Sequence, residues 1–380
     1  MHRHNVKSRD KTTTKSKASN SYVFSRDRRF LKAVEDLRTN VWRPDKRIER
    51  LDWVFGVDVE RIARALRNAI RNKVVLPIKA GEYFALSPPQ RDQKLSGRQH
   101  QLYDEGVVFV DEDGVSLVWY LPDLLSNEVK SKIHHKTILI QRKFASFVAA
   151  ANDVEVGEGS TRAKKRRKIS EHQFIDRKVI PTVFPGVCTF SLACKDLNHD
   201  GPMRPQSMNL ETPVDMVPQT EEWLTQISEH QIIVSLVLSF IHPELYQVGK
   251  RTLEKCFQEA PHQTLEWGTV EWGKKWNSVF TTLTVVSSRT TVRQVESEGA
   301  VNYFEALMGV GTANKATLSL HELNVSFRYK SGTGVFFSGQ GWTHEIPDWD
   351  TGEYLSYESR IQPEMIEYGG DKVEGYGLKL

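Results

Sequence analysis

The residues whose type and spacing most directly imply chemistry are basic. Lys164, Lys165, Arg166, Arg167 and Lys168 follow one another without interruption. Like charges at that density repel one another and do not pack in a core, so we expect this stretch to be exposed. A basic cluster of this form is typical of a nuclear localisation signal, which a nuclear import receptor binds. A nucleic-acid patch and a charged loop without a partner are the two alternatives.

A second basic feature belongs to a predicted helix over residues 58–73. Apolar residues recur at helical spacing from Val59 to Ile70, and Asp58 is placed to cap the helix start. The other side of the helix carries four arginines: Arg61, Arg64, Arg67 and Arg71. Such a face is expected either to follow the phosphate backbone of a nucleic acid or to be solvated.

Other groups that bind metals or act as nucleophiles are weaker candidates. His199 and Asp200 lie in NHDGP, whose composition first indicates a turn. His134 and His135 occur in the polar stretch KSKIHHKTI, where we expect a surface or edge-strand position rather than a ligand pair. No Gly-rich phosphate loop, Ser/His/Asp order or cysteine nucleophile motif is present.

Length and composition indicate a soluble globular protein in a reducing compartment. The chain has 380 residues and a net charge of +4, enough for one large domain or two ordinary ones. Its three cysteines form no metal-ligand pair, and an odd number argues against a disulfide framework. The longest apolar run, IIVSLVLSFI at 232–241, is too short for a membrane span, so we expect no membrane partner.

Changes in composition divide the chain into four predicted parts. Residues 1–20 are basic and rich in Ser, Thr and Lys, which predicts a disordered tail. Residues 21–150 form an N-terminal α/β lobe, and residues 151–176 form a charged linker that contains the basic cluster. Residues 177–380 form the second folded region. The predicted fold class is α+β.

Local signals within these parts predict individual elements. Two β-rich runs joined around Asp113 and Gly114 indicate a hairpin. One or two buried helices are expected around 220–257, with a break near His242-Pro243. Short β-rich runs with Gly and Asn turns follow and indicate a sandwich or barrel. At residues 321–322 the apolar alternation changes phase, which predicts a turn or bulge.

The β-rich part also carries short motifs in a fixed order. Tyr-x-x-Gly at 329–332 is followed by Ser-Gly at 338–339, by His344, and by Gly-Glu-Tyr at 352–354. From about residue 110 onwards, order and spacing resemble the TET/JBP-like 2-oxoglutarate/Fe(II) dioxygenases that are expanded in fungi. The resemblance implies a double-stranded β-helix (jelly-roll) core with packed helices. It extends to three earlier segments: VSLVWYLPDLL at 115–125, IHPELY at 241–246 and VNYFEALMGVG at 301–311.

The resemblance also implies where the iron and cosubstrate ligands would be. The family's His-x-Asp motif falls on Gln294 and Glu296, its distant metal-binding His on His344, and its cosubstrate-binding Arg on Tyr354. Only His344 keeps the family's residue type. A Gln carbonyl is a weaker, neutral ligand than imidazole, and Glu296 displaces the carboxylate by one methylene. A phenol offers one neutral hydrogen bond where Arg offers a charge-assisted pair.

These departures predict that neither Fe(II) nor 2-oxoglutarate is retained. We therefore expect a nuclear, dioxygenase-like pseudoenzyme that acts as a binding module, with DNA or RNA as partner through the basic segments. The family's reaction, oxidation of methylated nucleobases, is the implied ancestral chemistry. Two alternatives stay open: a residual dioxygenase that uses Gln294, Glu296 and His344, and a mobile-element-associated relic without a selected function.

Overall fold

The computed structural model of the chain describes residues 28–43, 57–142, 144, 182–191, 217–259, 275–294, 300–347 and 349–380. Within these ranges the protein is a mixed α+β fold with two β-sheets and nine α-helices. The predicted tail at 1–20 and the basic linker at 151–176 lie outside the described residues. The division of the chain at that linker stays a prediction.

The helices precede, interrupt and follow the strands. In chain order they are α1 (Arg28–Trp42), α2 (Val59–Arg71), α3 (Ala80–Phe84), α4 (Pro88–Lys94), α5 (Asn127–Lys136), α6 (Val217–Gln226), α7 (Ser228–Ile241), α8 (Pro243–Glu259) and α9 (Pro363–Gly369). The predicted helix at 58–73 is confirmed as α2, where the Asp58 carboxylate accepts a hydrogen bond from the Arg61 backbone N–H at 3.0 Å. The predicted break near His242-Pro243 is confirmed between α7 and α8.

Thirteen strands within the described ranges form one sheet of eight strands and one of five. The large sheet has the order β1-β3-β4-β11-β8-β13-β6-β5, and the small sheet has the order β2-β10-β9-β12-β7. The strands are β1 (Lys73–Val75), β2 (Gln101–Tyr103), β3 (Val107–Val110), β4 (Ser116–Leu121), β5 (Gly186–Ser191), β6 (Thr282–Ser287), β7 (Thr291–Gln294), β8 (Glu305–Gly309), β9 (Thr317–Leu320), β10 (Val325–Arg328), β11 (Gly334–Phe337), β12 (His344–Ile346) and β13 (Leu355–Arg360).

Along the last eight strands the chain crosses repeatedly from one sheet to the other. β6, β8, β11 and β13 belong to the large sheet, whereas β7, β9, β10 and β12 belong to the small one. β9 and β10 pair with each other through the turn at residues 321–324, so the turn predicted at 321–322 is confirmed. The other successive strands along this part of the chain lie in opposite sheets.

The N-terminal strands extend the same sheets. β3 and β4 form the predicted antiparallel hairpin, and Gly114 adopts φ +81° in its turn, a conformation that glycine reaches without strain. β4 then pairs with β11, and β2 pairs in parallel with β10. β2, β3 and β4 therefore share their hydrogen-bonded sheets with the eight strands from β6 to β13.

The large sheet has a core on each of its faces because neighbouring side chains of a strand point to opposite sides. Trp119, Phe336 and Tyr357 pack on the face covered by the helices. Tyr120 and Phe337 pack on the face that meets the small sheet. The site positions that the family resemblance implied on β12 and beside β13 belong to this second layer, between the two sheets.

Helix α7 lies in the core on the helix-covered face, and its residues from His230 to Ile241 are buried. Over the described ranges, no single helix is long and apolar enough to cross a membrane. The bent pair Pro218–Gln226 and Ser228–Ile241, with an angle of 51°, reaches that length and composition only when its two helices are taken together.

Candidate functional site

His344 is the first residue of β12 and is buried between the two sheets. Its ring meets the ring of Phe337 edge to face, with 5.2 Å between centroids. The Nδ1 atom of His344 lies 3.3 Å from the carbonyl oxygen of Trp342. Phe337 of β11 and the chain that leads into β12 thus hold the imidazole between the two sheets.

The backbone register of β12 and β7 places Gln294 directly across from His344. Directly opposed residues of an antiparallel pair are the nearest neighbours that two adjacent strands offer. Glu296, the second position of the implied metal motif, lies outside the described residues. The assignment of Gln294, Glu296 and His344 as a degenerate metal site therefore stays a prediction, with two of its three positions adjacent in the sheet.

The buried carboxylate of Glu322 holds the chain immediately before His344. Glu322, in the turn after β9, accepts hydrogen bonds from the Thr343 backbone N–H at 2.9 Å and from the Thr343 hydroxyl. Burial raises the pKa of Glu322, and these hydrogen bonds oppose that rise. Since Thr343 immediately precedes His344, the contact ties the start of β12 to the β9–β10 turn.

Tyr354, at the position implied for the cosubstrate, is fully enclosed. Its ring stacks on Trp349 with 5.0 Å between centroids and lies 6.2 Å from the ring of Tyr329. The Tyr354 hydroxyl is buried and has no hydrogen-bond partner within the described part of the chain. The neighbouring Tyr329 hydroxyl, by contrast, is 2.9 Å from the hydroxyl of Ser356.

The electrostatics around Tyr354 disfavour an anion. Burial raises the pKa of Tyr354 well above its ordinary value and the Glu358 carboxylate raises it further, whereas the neighbouring Ser356 hydroxyl opposes the rise. The same two causes raise the pKa of Tyr329, where the neighbouring Tyr354 adds to them. A carboxylate brought here would meet a neutral phenol and a like charge. Enclosing it without a cation would cost several kcal/mol.

A second interior carboxylate, Glu305, was not singled out in the sequence analysis. It begins β8 opposite Phe337 of β11, so Glu305 and His344 flank the same aromatic side chain. A Cβ at Gly339 would lie 2.7 Å from both carboxylate oxygens of Glu305, which explains the glycine in the Ser338-Gly339 turn. The signal was available in FEALMGV, where a carboxylate occupies an inward position of an otherwise apolar strand.

His134 also has a role that the sequence analysis missed. It lies in helix α5, so the expected edge strand is wrong; its side chain is partly buried, whereas the neighbouring His135 is exposed at the surface as expected. Its Nε2 atom is 2.6 Å from Oε2 of Glu353, and the backbone N–H of Val183 donates to Oε1 of the same carboxylate at 2.6 Å. Glu353, which immediately precedes Tyr354, thereby connects this part of the chain to helix α5 and to the segment before β5.

Trp342 packs in the wall of the sandwich and does not project as a stacking platform. It is fully buried, with its ring 5.3 Å from Tyr83 and 5.4 Å from Phe84 between centroids. Both partners belong to helix α3, which covers this end of the sheets. Trp342 therefore belongs to the aromatic core at this end of the sandwich.

The described surroundings of Tyr354 do not fit the 2-oxoglutarate of the resembled family. Among the described residues, no group of three or more His, Cys, Asp or Glu side chains is arranged to hold a metal ion. The position implied for the cosubstrate cation is a phenol packed against Trp349 and next to Glu358. The interior can bury aromatic rings at this position, but it offers no complement to a dicarboxylate.

Exposed polar side chains line a groove on the outer surface of the protein, along helix α2. This groove of about 560 Å³ runs between the helix and the loops that flank β3 and β4. Arg61, Arg64 and Arg71 of the predicted arginine face line it, whereas Arg67 is paired with Glu60 at 2.8 Å. The basic cluster at 164–168 lies outside the described residues.

Solved structures that are similar to the chain include two with low sequence identity and low TM-scores. No protein-family model and no curated protein matches the chain. The structure of NgTET1 in complex with 5mC DNA is 13% identical, with a TM-score of 0.37, over 75% of this chain and 92% of that one. The apo structure of NcT7HdeltaC, a C-terminally truncated protein of Neurospora crassa, is 11% identical, with a TM-score of 0.28, over 77% and 96% respectively. At these values neither similarity assigns a family or a function to the chain.

Proposed function

We propose that the protein is a nuclear, dioxygenase-like pseudoenzyme whose double-stranded β-helix serves as a nucleic-acid binding module. The ancestral reaction, oxidation of methylated nucleobases by Fe(II) and 2-oxoglutarate, rests on the resemblance of the sequence motifs. In this proposal the interior site no longer carries out that reaction. The basic segments provide the contact with DNA or RNA.

The strand succession supports the double-stranded β-helix. Four strands of the large sheet, in the order β11-β8-β13-β6, face four of the small sheet, in the order β10-β9-β12-β7. Eight antiparallel strands that cross between two facing sheets are the arrangement of a jelly roll. The N-terminal strands β1, β3 and β4 then extend the large sheet beyond this core.

The observation that carries the loss of catalysis is the environment of Tyr354. A catalytic member of the resembled family needs a cation at this position to hold the cosubstrate. Here a buried phenol with a raised pKa stacks on Trp349, and the charge that acts on it is the Glu358 carboxylate. This environment favours a packed aromatic cluster over a bound dicarboxylate.

Calorimetric titration tests the proposal. Mn(II), an oxygen-inert substitute for Fe(II), is titrated into the protein with 2-oxoglutarate present. We expect no binding in the micromolar range. A companion variant with Gln294→His, Glu296→Asp and Tyr354→Arg, checked for folding by circular dichroism, tests the register. Metal binding by the variant alone supports lost chemistry on a retained scaffold, whereas micromolar binding by the natural chain contradicts the proposal.

A residual dioxygenase is the second candidate, and one observation favours it. The register that sets Gln294 opposite His344 keeps two implied ligand positions adjacent. An enzyme of this kind would use Gln294, Glu296 and His344 as ligands. Metal-dependent turnover of 2-oxoglutarate by the natural chain, abolished by His344→Ala, would establish this candidate in place of the first.

The nuclear assignment rests on the cluster from Lys164 to Lys168. Replacing all five residues by Ala is expected to shift a fluorescently tagged chain from the nucleus to the cytoplasm, because an import receptor recognises consecutive basic residues. A matched variant with five exposed Lys or Arg residues changed elsewhere should stay nuclear. Equal distribution of the two variants would contradict the assignment.

A further inference from the structure

We propose that the groove along helix α2 binds single-stranded nucleic acid, with phosphates on its arginines and base amino groups on the facing carboxylates. The inference rests on the proposed function as a nucleic-acid binding module and names the site and the substrate class. The groove has a volume of about 560 Å³. That volume is within the range of small-ligand pockets, and it suits one or two nucleotides of a longer strand.

The groove has two walls of opposite charge. Arg64 and Arg71 belong to the helix wall. Asp104 and Glu105, in the loop before β3, and Asp123, in the turn after β4, provide the facing carboxylates. Such a charge-divided groove is complementary to a ligand with anionic groups along one edge and hydrogen-bond donors along the other.

Three close contacts hold the helix wall and the loop wall of the groove together. Gly106 lies so close to α2 that a Cβ there would be 3.3 Å from the Ala69 backbone nitrogen. The Asn72 side chain donates to the Gly106 carbonyl at 2.9 Å, and Arg61 donates to the Asp123 carbonyl at 3.4 Å. The helix and both loops are therefore positioned before a ligand arrives, which reduces the entropy lost on binding.

Arg64 and Arg71 are the two arginines available to a ligand. Both are exposed, and neither has a hydrogen-bond or ion-pair partner within the described ranges. Arg61 and Arg67, in contrast, contact Asp58 at 3.8 Å and Glu60 at 2.8 Å. Arg64 and Arg71 are seven residues apart, so they lie on one face of the helix at a spacing of about 10 Å along its axis. A guanidinium group binds phosphate oxygens through a planar, charge-assisted pair of hydrogen bonds.

The facing carboxylates favour a single strand over a duplex. A duplex has phosphates on both edges of each groove, so one of its strands would meet Asp104, Glu105 or Asp123 and be repelled. A single strand places phosphates on one edge and bases on the other. Carboxylates accept hydrogen bonds from the cytosine N4 amino group. Thymine offers only its N3–H, which lies between two carbonyl oxygens that repel a carboxylate. The groove is therefore expected to prefer cytosine to thymine.

Fluorescence anisotropy with the full chain tests the site. The probes are single-stranded deoxycytidine and thymidine oligonucleotides of equal length, together with a duplex of that length. We expect the deoxycytidine strand to bind about fivefold more tightly than the thymidine strand. Arg64→Glu with Arg71→Glu should weaken binding about tenfold. The slope of log affinity against log salt concentration should become less steep by about 1.4, since each phosphate contact with a single strand contributes about 0.7 to that slope.

The matched control is Lys94→Glu with Lys372→Glu, which makes the same change of charge at two exposed residues outside the groove. The Asp104→Asn, Glu105→Gln and Asp123→Asn variant should lose the cytosine preference and bind thymidine at least as tightly as the natural chain does, because it removes three negative charges beside the phosphates. Equal losses in the Arg and Lys variants, equal affinity for both strands, or stronger duplex binding would overturn the groove site. If no oligonucleotide binds the natural chain at all, the proposed nucleic-acid function fails together with it.

Discussion

The packed surroundings of Tyr354 and the groove along α2 both contain polar side chains, but one set is enclosed and the other is exposed. Tyr354 lies between Trp349 and Tyr329 inside the sheets, with its hydroxyl enclosed and without a partner among the described residues. Arg64 and Arg71 are exposed on the outside of a helix. The motif resemblance directs attention to the first region, whereas the polar groups that a partner can reach lie in the second.

Enclosed and exposed polar groups contribute to the protein in different ways. A buried polar group changes stability when it is altered, because its surroundings are packed and cannot rehydrate it. An exposed charge changes encounter and binding, and has little effect on folding. If the interior is now a structural core and the groove a binding surface, substitutions in the two regions should separate along that division.

The largest effect is expected from Tyr354→Ala. Removal of a fully buried aromatic side chain leaves a cavity and should lower the free energy of unfolding by about 3–5 kcal/mol. Urea denaturation of the variant and of the natural chain measures the difference. Oligonucleotide binding by the folded variant should be unchanged.

The matched substitution at this position is Tyr354→Phe. It keeps the ring and removes only the enclosed hydroxyl, so its stability should equal or exceed that of the natural chain. A loss of more than about 1 kcal/mol in this variant would mean that the hydroxyl makes a net favourable hydrogen bond. The interior around Tyr354 would then depend on a polar contact and would not be a purely packed aromatic cluster.

The next effect is an acid-dependent loss of stability caused by His230. This residue of α7 is completely buried, its ring lies 5.1 Å from that of Tyr357, and burial lowers its pKa from 6.5 to about 3. The unfolded chain binds a proton below pH 6.5 that the folded chain excludes, so stability falls as the pH falls towards 3. The loss attributable to His230 should reach about 2 kcal/mol at pH 5.

His230→Leu tests this value because leucine is similar in size and does not titrate. The difference in unfolding free energy between pH 7 and pH 5 should shrink by about 2 kcal/mol in the variant, when both are measured by urea denaturation. The same difference in both proteins would show that His230 is hydrated or paired. Substitution of Arg64, in comparison, should leave this pH dependence unaltered.

A somewhat smaller effect is expected at Glu322. Glu322→Ala leaves the Thr343 N–H and hydroxyl without their acceptor and should cost about 1–3 kcal/mol. Glu322→Gln keeps an acceptor and removes the charge. Burial raises the pKa of Glu322 above 4.5, so the folded state retains a proton that the unfolded state loses.

The unfolding free energy of the natural chain should therefore decrease as the pH rises through the range just above 4.5. Glu322→Gln should remove this pH dependence. Unfolding midpoints of both variants, measured across that range, provide the test. A Gln variant with the same pH profile as the natural chain would mean that Glu322 is not desolvated. The start of β12 would then be held by the hydrogen bonds alone.

The elements predicted from sequence were those set by residues close together in the chain. Asp58 caps α2 through a residue three positions away, Gly114 permits the β3–β4 turn, and Pro243 separates α7 from α8. Each signal acts within a few residues, so it is readable without knowledge of the fold. The pairing of β2 with β10, or of β4 with β11, has no such local signal.

The candidate site shows the same limit. The resemblance directs attention to His344 and Tyr354, but it does not indicate what surrounds them. Glu353 binds His134 across 219 residues of chain and Val183 across 170. These partners meet only because the sheets bring distant segments together. Burial and partnership, which decide whether a polar group is structural or functional, are properties of the fold.

The smallest expected change in stability is that of Arg64→Glu with Arg71→Glu. Both side chains are exposed and without partners among the described residues, so the unfolding free energy should stay within about 0.5 kcal/mol of the natural value. Denaturant titration at low and high salt measures it. The same variant is expected to lose oligonucleotide affinity, whereas Tyr354→Ala loses stability and keeps that affinity. A large loss of stability on reversal of these two charges would mean that the arginines support the helix–loop packing, and the division between an enclosed interior and an open groove would no longer hold.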